Sequence, residues 1–314
     1  MYDLKIWFLD VGHGDSTFII LPNGARMLID CGCGEDHWPS TLLTNCDITP
    51  LKPVQIPGET RAYGLDNLVI THPHGDHLAD IQRIHEQVKF FLLTGSYRDF
   101  IDKIAVESID FRQRGQDAAK AFIKIVKEYC GTYEEQKDRV RNSKPTCIVE
   151  KRRFIEYSDG MDLNELSWFI SISIANHKVL FTGDMTATGV RRILNSARAE
   201  EFSKFVAGTT ILKVPHHGRE NGCSEEMFDL FGGKPLACVV SDEVLNDRNE
   251  GTSNIEWYGA RTSDIPVSVN GTMVSRKVFT TRNDGDIFLS INHQNHVQFQ
   301  TNVFADLRKK IYGH

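Results

Sequence analysis

The sequence predicts an α/β protein, a four-layer αββα sandwich in which two packed sheets carry helices on their outer faces. Three observations predict it. Strand-like segments come first and then alternate with helical ones, in both halves of the chain, an order that two sheets with helices outside accommodate. Apolar strands end repeatedly in polar, ligand-rich loops, at 71–77, at Asp184 and at His216 and His217. No internal repeat, low-complexity block or Gly/Ser linker divides the 314 residues, so one domain over 1–314 is expected.

Residues 4–9 and 16–21 read as strands joined by the glycine-containing turn 11–15, and Pro22-Asn23-Gly24 turns the chain onto a third strand at 26–30. A short buried strand is expected at 68–71, then a helix over about 78–88 and a strand at 89–93. A mostly helical insertion follows over about 95–145. Within it Ala118, Phe122, Ile125 and Tyr129 recur at helical spacing, a stripe that predicts core packing. Ser143-Lys144-Pro145 closes the insertion. Strands resume at 147–155, 168–175 and 179–182, followed by a helix over 186–199, a strand at 210–214 and a helix over 224–231. Two last strands, 278–281 and 286–292, flank the turn Asn283-Asp284-Gly285.

Composition narrows the setting. The hydrophobic fraction of 40% and the charged fraction of 25% are those of a globular protein. The longest apolar runs are too short to span a bilayer, and the N-terminus shows no basic stretch followed by an apolar core. Seven scattered cysteines form no framework of close pairs, so a reducing, cytoplasmic setting is expected. A net charge of -6 weighs against a surface coated in nucleic acid. Between Arg112 and Arg153, however, twelve Lys or Arg stand against six Asp or Glu, which is either a solvated helical face or a polyanion track.

The chemistry concentrates in Thr71-His72-Pro73-His74-Gly75-Asp76-His77. Three imidazoles and a carboxylate just after an apolar strand form a donor set suited to zinc and similar divalent ions. Alternation at the strand end sends His72 and His74 to one side, favouring one metal, while Asp76 and His77 on the next turn reach a second. Asp184 and the His216-His217-Gly218 run occupy matching strand ends.

His72-Pro-His74-Gly-Asp76-His77 resembles the H-x-H-x-D-H signature of the metallo-β-lactamase superfamily. Asp30, in Leu28-Ile29-Asp30-Cys31-Gly32, sits where that superfamily places a supporting aspartate. The chain also resembles the hydrolase domain of ComEC-type DNA-uptake proteins, through Leu9-Asp10-Val11-Gly12-His13-Gly14-Asp15-Ser16, Phe181-Thr182-Gly183-Asp184 and Leu212-Lys213-Val214-Pro215-His216-His217-Gly218. The resemblance implies His72 and His74 on a first metal, Asp76 and His77 on a second, and Asp184 bridging the two. It implies that one of His216 and His217 completes the second site, His217 being favoured as the ligand and His216 as a substrate contact or proton donor. Many superfamily members supply a further histidine from a Gly-His-Ser/Thr loop. This chain lacks it, and Asn164-Glu165-Leu166-Ser167 looks like the counterpart of the ComEC-type Asn-x-x-Ser, with Asn164 as the supporting residue.

Two divalent ions are therefore expected, zinc first, with manganese or iron as alternatives. A dinuclear site makes hydroxide available near neutral pH from a bridging water, and Asp76 can orient it. His216 can serve the leaving oxygen. The expected function is a metal-dependent phosphodiesterase or nuclease acting on nucleic acid or another phosphodiester. The alternatives are a small-molecule phosphoester or ester hydrolase, and a non-catalytic module that senses a nucleotide or partner. Asp10 and Asp15 bracket a loop whose Gly12 and Gly14 either expose amides to phosphate oxygens or simply form a turn.

Overall fold

A computed structural model describes residues 3–34, 37–46, 52–56, 59–107, 113–128, 147–243 and 254–313. In the first strand, β1 (Leu4–Phe8), Leu4, Ile6 and Phe8 are fully buried, Lys5 is exposed and Trp7 is half-buried. That alternation of period two presses one face of the strand onto a second sheet. Trp7 faces the other way, its ring 5.6 Å from Phe18 and 4.8 Å from Phe288.

β1 pairs antiparallel with β2 (Thr17–Ile20), and β2 with β3 (Arg26–Ile29). A separate hairpin, β4 (Lys52–Ile56) and β5 (Glu59–Tyr63), follows β3 in the chain. β6 (Leu65–Val69) then joins β3 in parallel, and β7 (Phe90–Thr94) joins β6. The second sheet is built from β8 (Cys147–Arg152), β9 (Phe169–Ile174), β10 (His177–Phe181), β11 (Ile211–Lys213), β12 (Ala237–Val240) and β15 (Val278–Thr280). It runs antiparallel from β8 to β10 and parallel from β10 to β15. The C-terminal strands return to the first sheet on the free side of β1: β16 (Ile287–Ile291), β17 (Val297–Gln300), β13 (Val267–Val269) and β14 (Thr272–Val274).

Three hydrophobic clusters define the layers. Between the sheets, Leu4, Ile6, Phe8, Ile29 and Val69 meet Ile170, Ile172, Val179, Phe181 and Phe279. Outside the first sheet, Phe18, Leu28 and Leu68 pack on Leu78, Ile81, Ile84 and Phe122. Outside the second, Leu180, Leu212 and Val240 pack on Val190, Ile193, Phe202 and Met227. Each such side chain contributes about 1.5–3 kcal/mol on burial. Strands sandwiched on both faces read as continuous apolar runs, as β12 and residues 179–181 of β10 do. The αββα layering is as the sequence predicts.

Several element boundaries differ from expectation. The helix expected over 78–88 begins earlier, at Gly75–Leu78, continues at Ile81–Arg83 and ends in a wide turn, Ile84–Val88, closed by Lys89 at φ 62°. The helix expected over 186–199 is two helices, Ala187–Leu194 and Ala199–Val206. Ser196 separates them: its hydroxyl donates to Ile193 O and accepts from Arg198 N–H, competing with the helical ladder. Within the insertion, Ile101–Glu107 and Gln113–Glu128 are helical. Ala118, Phe122 and Ile125 are core residues there, as their spacing predicts. The Tyr129 end of that stripe and the turn at 143–145 lie outside the described residues.

The insertion packs against the motif itself. A Cβ on Gly75 would stand 2.7 Å from Gly115 Cα, so the helix Gln113–Glu128 lies backbone to backbone with the turn that carries Asp76 and His77. The six described cysteines are free thiols. Among the described residues no helix is long and apolar enough to cross a membrane.

Candidate metal centre

Loops leaving the ends of β1, β3, β6, β10, β11 and β12 meet along one edge of the sandwich. The chain leaves β6 through Ile70 and Thr71 into His72, and the short helix Gly75–Leu78 then carries Asp76 and His77. β10 ends at Phe181, and Gly183 at φ 53° turns the chain to present Asp184, whose N–H donates to Ser167 Oγ at 3.0 Å. β11 leads into Pro215–Gly218, where His216 and His217 adopt consecutive left-handed conformations at φ 50° and 52°. Left-handed backbone costs about 1–2 kcal/mol per non-glycine residue. Two bonds hold it here: His216 N–H donates to Gly183 O at 3.3 Å, and His217 Nδ1 lies 3.1 Å from Ser241 O.

Four imidazoles surround the carboxylate of Asp184. His77 Nε2 lies 3.3 Å from its Oδ1, while His217, His72 and His216 place their Nε2 atoms 3.6, 3.8 and 3.9 Å from its Oδ2. Asp76, His77, Asp184 and His217 bring four ligand atoms within 4.8 Å of one another. Beside this tetrad His72 Nε2 and His74 Nδ1 are 3.1 Å apart. His77 Nε2, His217 Nε2 and Asp184 Oδ1 are buried with no hydrogen-bond partner, a cost that native interiors rarely leave standing. Orphaned donor atoms that converge in this way fit a divalent cation, and the His/Asp chemistry suits zinc, manganese or iron.

Asp30 orients the cluster from behind. At φ 57° and fully buried, it accepts from Thr71 N–H and Thr71 Oγ1, both at 2.7 Å, and lies 2.8 Å from His77 Nδ1. The bond at Nδ1 leaves His77 Nε2 to face Asp184. Burial pushes the Asp30 carboxyl up from its ordinary value, opposed by His77.

Electrostatics in the metal-free protein follow from this packing. Burial opposes charge on His77, but Asp184 and Asp30 hold its pKa well above the ordinary value of 6.5. His217 is raised likewise, burial being outweighed by Asp184 and Asp76. His72 falls well below, through burial and the neighbouring His77. Burial and His217 push His13 down to about 4. Burial opposes ionisation of Asp184 and Asp76, yet the adjacent histidines hold both well below 3.8. His77 and His217 therefore hold a proton more tightly than a free imidazole does, and a cation must displace it. Metal affinity is expected to rise with pH through neutrality, with proton release that fades above the raised histidine pKa values. Calorimetry in buffers of different ionisation enthalpy measures that release, and pH-independent binding would contradict it.

Asp15 and Asp10 stand apart from the ligand cluster. The Asp15 carboxylate accepts from Lys213 Nζ, and from Ser241 Oγ at 3.3 Å. Its backbone N–H donates to Asp76 O at 3.1 Å, and its carbonyl accepts from Gly32 N–H at 2.9 Å. A Cβ on Gly32 would fall 1.6 Å from Asp76 O, so only glycine lets this strand end pass the motif. Asp15 thus ties the first loop to the backbone of Asp76. Lys213→Met is expected to destabilise the fold by about 3–5 kcal/mol by stranding a buried carboxylate. Adding Asp15→Leu should restore part of that, and thermal melts that show no recovery would remove the pairing as the cause. Asp10 lies near Asp286, which accepts its N–H at 2.8 Å and pairs with Arg308. Burial and Asp286 raise the Asp10 pKa. Asn164 is buried with Oδ1 unpartnered, whereas Ser167, three residues on, makes the contact to Asp184.

Residues without a role in the sequence reading also gather here. Lys213 and Thr71 are polar side chains in otherwise apolar strand ends, a legible signal of a buried partner. His13 Nε2 lies 3.6 Å from Asp76 Oδ2 on the more open side, and Arg219 reaches both His13 and His216.

No family model matches the sequence, and no curated protein matches it. Among solved structures the chain is similar to a protein from Thermotoga maritima assigned provisionally as a metallo-β-lactamase, at 13% identity and a TM-score of 0.39, over 67% of this chain and 95% of that one. It is similar to Zn²⁺-bound PqqB from Methylobacterium extorquens at 10% identity and 0.35, over 70% of this chain and 65% of that one. It is also similar to a diphosphatase of the PhnP family at 7% identity and 0.37, over 88% and 94%. The chain itself is an α/β sandwich of two packed sheets with helices outside. At these identities no activity passes from those proteins to this one, and none of the three bears on the ComEC likeness. The site is a cluster of potential metal ligands.

Proposed function

We propose that this protein is a metal-dependent hydrolase that cleaves phosphodiesters. The observation that carries the reading is Asp184 ringed by four imidazoles beside Asp76, on loops distant in sequence. His72, His74 and Asp184 would hold one cation, and Asp76, His77, Asp184 and His217 a second. Bound divalent cations supply Lewis acidity, making water nucleophilic near neutral pH and balancing charge at the attacked phosphorus. Hydrolysis adds the water oxygen to phosphorus, breaks the bond to the leaving oxygen and moves one proton between them. Asp76, about a quarter exposed, orients the attacking water. Burial lowers the pKa of His216, so its imidazole is neutral at pH 7 and able to take that proton before passing it to the leaving oxygen.

The motif likeness to ComEC-type proteins supports nucleic acid as substrate. A smaller phosphoester is the second reading. Among the described residues of the basic stretch, Lys120, Lys127, Arg152 and Arg153 each pair with an acidic residue. The test is cleavage of single- and double-stranded DNA and RNA, and of bis-p-nitrophenyl phosphate, with Zn²⁺ or Mn²⁺. Asp76→Ala is the control and is expected to be inactive. Cleavage that survives in that variant sinks the mechanism. Turnover of the small diester alone selects the second reading, and bound metal without any turnover selects a sensing module.

A further inference from the structure

Among the described residues, other partly buried arginines sit on carboxylates: Arg282 on Asp242 at 2.9 Å, and Arg308 on Asp286 and Arg276 on Asp284, both at 2.5 Å. Arg219 does not. Its terminal nitrogens lie 3.4 Å from His216 Nε2 and 3.5 Å from His13 Nε2, and its Nε is buried without a hydrogen-bond partner. Among the described residues no carboxylate pairs with it. Contacts of that length are weak, so the guanidinium is held in place without being satisfied. A partly buried charge left in this state is costly unless an anion from outside completes it.

Its position says where that anion binds. Arg219 follows the turn that carries His216 and His217, and its N–H donates to His216 O at 2.9 Å. His13, about a third exposed, stands 3.6 Å from Asp76 Oδ2. His13, Asp76 and Arg219 therefore border the accessible side of the ligand cluster, while His72, His77 and His217 are closed off behind. A guanidinium presents parallel N–H donors whose geometry matches two oxygens of one phosphoryl group, which an ammonium cannot do.

We propose that Arg219, framed by His13 and His216, is the anion-recognition subsite of this centre and grips the non-bridging oxygens of a phosphoryl group. The proposal rests on the phosphoester reading and names the residue that selects it over neutral esters and amides. The test is binding of inorganic phosphate to metal-loaded protein, with acetate as the comparison anion and metal content measured for each variant. Arg219→Ala is expected to weaken phosphate binding by at least about tenfold with metal content unchanged. Arg219→Lys should recover part of the loss, and acetate binding should change less. Equal phosphate affinity in wild type and Arg219→Ala at equal metal content overturns the proposal, as does wild-type protein that binds no phosphate. Should Arg219→Ala fail to fold, Arg219→Lys decides: full wild-type affinity overturns the bidentate grip, and weakened affinity supports it. Arg219-dependent phosphate binding without cleavage of any phosphoester keeps the subsite and removes the hydrolase reading. Cleavage of bis-p-nitrophenyl phosphate with kcat and KM indifferent to Arg219→Ala does the reverse.

Discussion

Asp184→Asn is expected to strip both metals and abolish hydrolysis while leaving a folded protein. The side chain is the meeting point of His72, His77, His216 and His217, so its loss removes a donor from each proposed locus at once. Changing an outer-shell partner of a metal ligand costs about 10–100-fold in affinity, and a ligand shared by two ions should exceed that. The effect on the fold should be smaller. Breaking a buried ion pair usually costs about 3–5 kcal/mol, because the abandoned charge stays buried. Here Asp184 is the largest raising influence on His77 and His217, but Asp30 remains beside the first and Asp76 beside the second, so neither imidazole loses its last acidic partner. The expected combination is near-normal thermal stability of the metal-free variant and metal retention lost to a mild chelator. Wild-type metal content in Asp184→Asn would mean that the carboxylate is no ligand.

Asp30→Ala should do the opposite, striking the fold first. Its carboxylate satisfies Thr71 N–H, Thr71 Oγ1 and His77 Nδ1, all buried, and each abandoned group costs about 1–3 kcal/mol. Alanine also fits poorly at φ 57°, where Asp and Asn are tolerated. A loss of about 3–5 kcal/mol is expected, with metal affinity falling about 10–100-fold as His77 loses its orientation. Asp30→Asn keeps the backbone preference and one acceptor oxygen, and should recover much of the stability but little of the affinity. Denaturant melts and metal titration of the pair separate the two roles. Equal affinity in wild type and Asp30→Asn would show that Asp30 only braces the chain.

The layers of the fold were legible because strands buried on both faces must be apolar and ligands must follow them. The site was legible for a related reason: clustered histidines and carboxylates at strand ends have few other physical uses. Less was readable where order depends on contacts far along the chain. β17 is polar in two of its four residues and is a strand because β16 and β13 flank it. The break at Ser196 turns on one hydroxyl choosing a local partner. The pairing of Asp15 with Lys213 joins residues 198 positions apart, and neither announces the other. Arg219 carries no motif at all, and its interest lies in the partner it lacks.

The tight seating of Gly115 against Gly75 has a consequence for the architecture as a whole. The helix Gln113–Glu128 is no detachable ornament. Excising it would uncover Leu78, Ile81 and Ile84 and leave the histidine-bearing turn without a floor. A trimmed version of this protein would have to regrow bulk at that spot before the ligand cluster could form, so pruning here should yield aggregates, not a smaller folded domain.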